Sequence, residues 1–202
     1  MTALIMNEKR VFLTKHSPAY WRVTLNHPPL NVFGPKTIPQ LNEVITAIET
    51  DKELKVVVVD SAIDGFFLTH YDFLAKIEDT TSLPPGPTGL QPLPDMLVRL
   101  SRAPVVSIAS IRGRATGVGS ELALACDMRF ASREKAILSH FEVGAGVVPG
   151  GGPMARLPRL MDEDAHWKYF SARTTSLAIW PNDTDMLTGQ CRTLILMSLS
   201  MR

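Results

Sequence analysis

Cysteine is nearly absent from this chain. Its two cysteines, Cys126 and Cys191, are too few for a disulfide framework, so a reducing compartment fits. An excess of either charge is also missing: 21 Lys and Arg stand against 20 Asp and Glu, a formal net charge of +1. That balance excludes the electrostatic footprint of a nucleic-acid or anionic-membrane binder. No run approaches the ~20 apolar residues of a membrane-spanning helix. The opening MTALIMNEKR has neither a long apolar stretch nor a small-residue cleavage site and does not read as a secretory signal. The expected protein is soluble and cytoplasmic, with mitochondria or peroxisomes as the alternatives; the final Ser-Met-Arg is not a peroxisomal address.

Several chemical signatures are missing as well. The glycines of 113–119 are not followed by Gly-Lys-Ser/Thr and lack dinucleotide-fingerprint spacing, which argues against an NTPase or a dehydrogenase. Ser120 stands between Gly119 and Glu121, which is not a G-x-S-x-G elbow. The five histidines are scattered without metal-ligand spacing, so no metal is expected. His70 and His140 either line a pocket or sit at the surface or hydrogen-bonded in the core.

What is present suits one core, since 45% of the 202 residues are hydrophobic. Val11–Lys15 and Tyr20–Asn26 read as a hairpin around Ser17-Pro18, and 27–35 (HPPLNVFGP) as a loop that its prolines and glycine keep irregular. Thr37–Glu49 predicts a helix with Ile38, Leu41, Val44, Ile45 and Ile48 on one face and Thr37 as cap. Val56–Val59, four consecutive valines, predicts a parallel strand buried on both faces. Residues 78–94 read as a proline-rich surface loop, followed by a helix at Asp95–Ser101. Strands are expected at Val105–Ser110, Met128–Ala131 and Ala136–Ser139, a glycine-spaced turn at 113–119, and a helix at Ser120–Cys126. A tight turn at 148–153 leads into a last short helix. Cys126, on an apolar helix, reads as a buried thiol.

The informative stretch is APVVSIASIRGRATGVGSELALACD, followed after twelve residues by HFEVGAGVVPGGG. A strand feeds a glycine turn that opens a helix, and a helix N-terminus presents unpaired N–H groups and a positive dipole end to developing negative charge. Two carboxylates, Glu121 and Glu142, accompany it. They suit acid–base work; otherwise Glu121 caps its helix and Glu142 is a solvated loop charge.

With VTLNHPPLNVF, VVVVDSAIDGFFLTHYDF and HFEVGAGVVPGGGPMARL in the same order, the chain resembles the enoyl-CoA hydratase/isomerase (crotonase) superfamily over residues 8–160. The resemblance implies an α/β fold, a spiral of ββα units that here lacks most of the C-terminal helical segment. It implies an acyl-CoA substrate, no cofactor beyond the coenzyme A of that substrate, and a homotrimer or hexamer. The backbone N–H groups of Tyr71 and Val118 fall at the oxyanion-hole positions, and Glu121 and Glu142 at those of the two water-activating carboxylates. Leu30, Thr69, Asp72, Phe73 and Gly117 fall at substrate- or CoA-contacting positions, Asp72 also as a cap after the oxyanion loop. Tyr71 and Val118 replace the small residues usual in the family, which is expected to narrow or redirect the acyl pocket. Two functions follow: hydration or isomerisation of an enoyl thioester, or a silent acyl-CoA-binding or partner subunit.

Residues 1–161 are expected to form the spiral core. Residues 162–202 lose all periodicity and hold Trp167 and Trp180 without an apolar face. The family's A-E-x-x-G-x-V-N-R-x-x-P is absent, yet the codons for 180–192, read two nucleotides later, permit Ala-Glu-Arg-Tyr-Gly-Tyr-Val-Asn-Arg-Ala-Val-Pro. The expectation is an out-of-frame tail, an uncovered core surface, and weak or no activity for the 202-residue chain.

Overall fold

A computed structural model of the chain describes residues 8–132, 134–140 and 142–160. The tail read at 162–202, with Cys191 and both of its tryptophans, lies outside the described residues. The hairpin is β1 (Val11–Ser17) and β2 (Tyr20–Leu25), antiparallel with Val11 opposite Leu25. Helix α1 (Thr37–Thr50) buries the predicted stripe of Ile38, Leu41, Val44, Ile45 and Ile48. Its start corrects one expectation. Thr37 is already helical and Lys36 precedes it without a side-chain cap; the carbonyl of Gly34 instead accepts from the N–H groups of Thr37 (2.8 Å) and Ile38 (3.2 Å).

Strand β3 (Val56–Ser61) runs parallel to β2 and to β5 (Val106–Ile111), but of its four valines only Val57 and Val59 are buried. Val56 and Val58 are half-covered, so the strand is fully packed on one face rather than both. Between β3 and β5 lie β4 (Gly65–Leu68), the one-turn helix α2 (Glu78–Thr81) and α3 (Pro92–Leu100). The proline-rich stretch is thus shorter than predicted. Prolines fit the first turn of α3 because no intrahelical donor is needed there. Arg99 pins α3 to α1, donating to Glu49 (2.9 Å) and to Asn42 and Thr46 (both 2.6 Å) across the interface.

After β5 come β6 (Gly113–Thr116), α4 (Val118–Ala125), β7 (Met128–Ala131), β8 (Ile137–Ser139), a 3-10 turn at Glu142–Ala145 and α5 (Pro153–Leu160). The predicted turn over 113–116 is therefore a strand. Strands of three or four residues carry too few alternations to show a period. The strands form two sheets, β1-β2-β3-β5-β7 and β4-β6-β8, with every pairing parallel except the hairpin. Each strand pair after the hairpin gives its first strand to the large sheet and its second to the small one before a helix returns the chain. That stepping is the spiral of ββα units the sequence predicts.

The junction of the small sheet with α4 has no clearance. A Cβ on Gly119 would stand 1.8 Å from the carbonyl oxygen of Leu68 and 2.5 Å from its carbon, both main-chain atoms that cannot swing aside. Gly119→Ala is expected to cost about 3 kcal/mol, the upper end of ordinary overpacking. Urea denaturation of the two proteins measures it; an unchanged midpoint would show that the junction has room for a methyl group.

Candidate active site

Glu121 and Glu142, with His140, come together where α4, the end of β8 and the 3-10 turn meet. Asn31 shapes the approach. It adopts a left-handed backbone (φ 55°), is 1% exposed, and uses its whole side chain. Its amide donates to the Phe67 carbonyl and to Ser61 Oγ (3.0 Å), and its oxygen accepts from His27 N (2.8 Å). Phe33 is thereby laid against the segment after β4. Phe33 N donates to His70 O (3.1 Å), and Asp72 N donates to Phe33 O (2.7 Å). A parallel bridge of this kind engages the residues on either side of its centre, Tyr71, so the N–H of Tyr71 points the other way.

Opposite lies the start of α4. Gly117 (φ 55°) precedes it and donates its N–H to Ser139 O at 3.0 Å, joining α4 to the end of β8. Gly119 N donates to Thr69 O at 3.2 Å, joining α4 to the segment that carries Tyr71. Val118, buried between them as the first helical residue, has an N–H that no carbonyl of its own helix can reach. Among the described residues neither Tyr71 N nor Val118 N donates to a backbone carbonyl.

The two carboxylates come from different segments. Glu121, 1% exposed in the first turn of α4, accepts the Gly151 N–H on Oε1 at 2.7 Å; it does not cap its own helix. Burial pushes its carboxyl above the ordinary carboxylate range, against the Gly151 hydrogen bond, which pulls the other way. Glu142 opens the 3-10 turn with its side chain 12% exposed, so it is no freely solvated loop charge. Its Oε2 lies 3.5 Å from Nδ1 of the fully buried His140. One ligating atom each from Glu121, His140 and Glu142 falls within a 4.8 Å cluster. Oε2 of both glutamates is buried and makes no hydrogen bond among the described residues. Unpaired buried carboxylate oxygens are costly, and where they persist they point to work done on a ligand or a proton.

The other predicted residues are placed as follows. Thr69 is buried, its hydroxyl donating to Leu30 O at 3.1 Å, which ties the loop of Leu30 to the end of β4. Leu30 is exposed, and so is Phe73, which stacks on His70. Asp72 accepts the Leu74 N–H at 3.0 Å and so closes the turn after Tyr71. The Tyr71 ring is half-buried against Phe33, with its hydroxyl bonded to Thr80 of α2. Burial pushes that phenol up. Cys126 is buried and its thiol is pushed up to about 12 by burial. Sequence reasoning missed Asn31 and the grouping of His140 with the glutamates. An asparagine inside a proline–glycine loop was the available signal for the first, since Asn tolerates the left-handed backbone. Nothing local signalled the second.

The enoyl-CoA hydratase/isomerase family profile matches residues 17–166. The enoyl-CoA hydratase domain-containing protein 2, mitochondrial, of Mus musculus is 32% identical over 150 residues, which are 74% of this chain and 50% of that protein. The short-chain-enoyl-CoA hydratase of Clostridium acetobutylicum is 34% identical over 143 residues, 69% of this chain and 52% of that one. The chain spans about half the length of these curated relatives. A Streptomyces avermitilis crystal structure, provisionally assigned as an enoyl-CoA hydratase, superposes with a TM-score of 0.73 at 36% identity, covering 80% of this chain and 58% of that one.

Proposed function

The chain belongs to the enoyl-CoA hydratase/isomerase family, and from that premise we propose that it adds water across the double bond of a short enoyl-CoA thioester. The observation that carries this reading is the pair of buried carboxylate oxygens, Oε2 of Glu121 and Oε2 of Glu142, that accept no hydrogen bond among the described residues. The water oxygen bonds to the β-carbon of the enoyl group while one carboxylate takes a proton from the water. The electron pair of the double bond moves toward the thioester carbonyl, and the α-carbon then receives a proton from the acid partner. Burial raises the carboxyl of Glu121, which suits one member of an acid–base pair. The N–H groups of Tyr71 and Val118 would receive the charge that develops on the thioester oxygen. Two carboxylates favour hydration over isomerisation, where one proton carrier suffices. A short acyl chain is favoured because a Clostridium relative is named for one and because Tyr71 and Val118 are bulky.

A second reading, an acyl-CoA binder without turnover, rests on those same bulky residues. Incubating the chain with crotonyl-CoA and following loss of the conjugated enoyl absorbance separates the two. Slow hydration is expected, in keeping with the weak activity anticipated for the 202-residue chain, with mass spectrometry showing the gain of one water. Binding of the thioester without turnover on any short enoyl-CoA would establish the silent subunit instead. The distances in the glutamate–histidine cluster would also suit a divalent cation. Dialysis against EDTA is expected to leave the rate unchanged, and a rate lost to EDTA and restored by a metal would overturn the metal-free mechanism.

A further inference from the structure

We infer that His140 is a positioning residue for the glutamate pair, holding the Glu142 carboxylate in place so that the two acids keep distinct roles. The inference rests on the hydration reading. Its geometry starts at Ser139, the last residue of β8, whose carbonyl accepts the Gly117 N–H at 3.0 Å. That bond fixes the end of β8 against the start of α4, and His140 is the next residue. It is 0% exposed, and its Nδ1 faces Glu142 Oε2 at 3.5 Å. Among the described residues Oε2 of Glu142 makes no hydrogen bond, so the imidazole is the polar group against it. A contact of that length in the free protein tightens when substrate fills the site.

The charged surroundings leave the imidazole a specific task. Glu121 faces the cluster from α4, Glu142 from the 3-10 turn, and Arg156 from α5, where its Nη1 donates to the Gly151 carbonyl at 2.6 Å. Two carboxylates this close repel if both ionise, and the first site to relieve that repulsion decides which acid carries the proton. The guanidinium is held by the main chain around Gly151, whose N–H also binds Glu121. Glu142 has the imidazole. The imidazole acts on Glu121 as well, but among the described residues only Glu121 has the Gly151 N–H, and only Glu142 has Nδ1 set against its Oε2, so the two acids are made unlike.

Two measurements test this. In the resting protein labelled with ¹⁵N-histidine, the Nδ1 resonance of His140 is identified by its loss in His140→Gln. Glu142→Gln is expected to move that resonance while leaving the other histidines in place; an unmoved resonance overturns the inference whether or not the chain turns over. In the hydration assay, His140→Ala is expected to lower kcat roughly 10- to 100-fold with little change in KM, as misplacement of a reacting group does. It should also shift the acidic limb of the pH–kcat profile. His140→Gln, which keeps a donor of similar reach, should recover much of the rate. A His140→Ala profile superimposable on that of the unaltered protein overturns the positioning role. Failure of the underlying hydration reading looks different: the unaltered protein and Glu142→Gln then show equal turnover or none.

Discussion

Glu142→Gln is expected to lower crotonyl-CoA hydration by ~10²- to 10⁴-fold, the range for removing a general acid or base. Glutamine keeps the length and polarity of the side chain, so the 3-10 turn at Glu142–Ala145 has no reason to move. What it loses is the ability to take a proton. Glu121→Gln should lose turnover to a similar extent and differ in stability. Its carboxamide oxygen can still accept the Gly151 N–H, while the cost of burying a charge disappears. The sign follows from burial having raised the carboxyl in the folded chain. At low pH the group is neutral in both states. As pH climbs past the ordinary carboxylate value the unfolded chain ionises first, and the native state loses stability until Glu121 ionises in place. Glu121→Gln is therefore expected to flatten that decline in urea midpoints measured across the mildly acidic range. Turnover unchanged in Glu142→Gln would remove it from the chemistry.

The second large effect concerns a main-chain atom. Val118→Pro deletes the N–H assigned to the thioester oxygen, and loss of one such donor costs ~10²–10³ in rate in other enzymes. Proline is tolerated at the first helical position, where no intrahelical bond is lost. The residue before a proline must avoid helical ψ, and Gly117 already does so at ψ −121°. The variant should therefore fold with its denaturation midpoint little changed. Val118→Ala keeps the N–H and should lose far less turnover, which separates the amide from the bulk of the side chain. If Val118→Pro hydrates crotonyl-CoA at the unaltered rate, the oxygen is stabilised elsewhere.

How much of this was legible beforehand depends on the range of the interactions involved. The amphipathic face of α1, the hairpin, and β5 and α4 as strand and helix each announce themselves within a dozen residues, because period and turn chemistry are local. Of the small sheet β4-β6-β8 only β8 was legible, as the strand read at Ala136–Ser139; β4 and β6 were not, since such short strands form only by pairing with one another. The same division runs through the site. Glu121 and Glu142 were visible through their motifs. Their convergence on His140 depends on the Ser139–Gly117 bond, and the hold on Glu121 on Gly151, thirty residues on. Thr37 was misread as a cap because residue type suggests capping, whereas the Gly34 carbonyl had already closed the turn. The double-sided burial assigned to Val56–Val59 failed for a related reason: a run of valines states an affinity for a sheet, not how much covers each side of it.

The bond from Gly119 to Thr69 and the bridge of Phe33 to Tyr71 join main chain to main chain. The separation of the two proposed donors is thus set by atoms every residue type possesses, and exchange of the side chains at 71 and 118 leaves it alone. Such a centre has an inherited part that mutation cannot easily edit and a bordering part that it can. If the proposed donors hold the thioester oxygen, a lineage built on this frame could change the group it accepts by side-chain exchange at 71 and 118 alone, with the main-chain grip kept at every step.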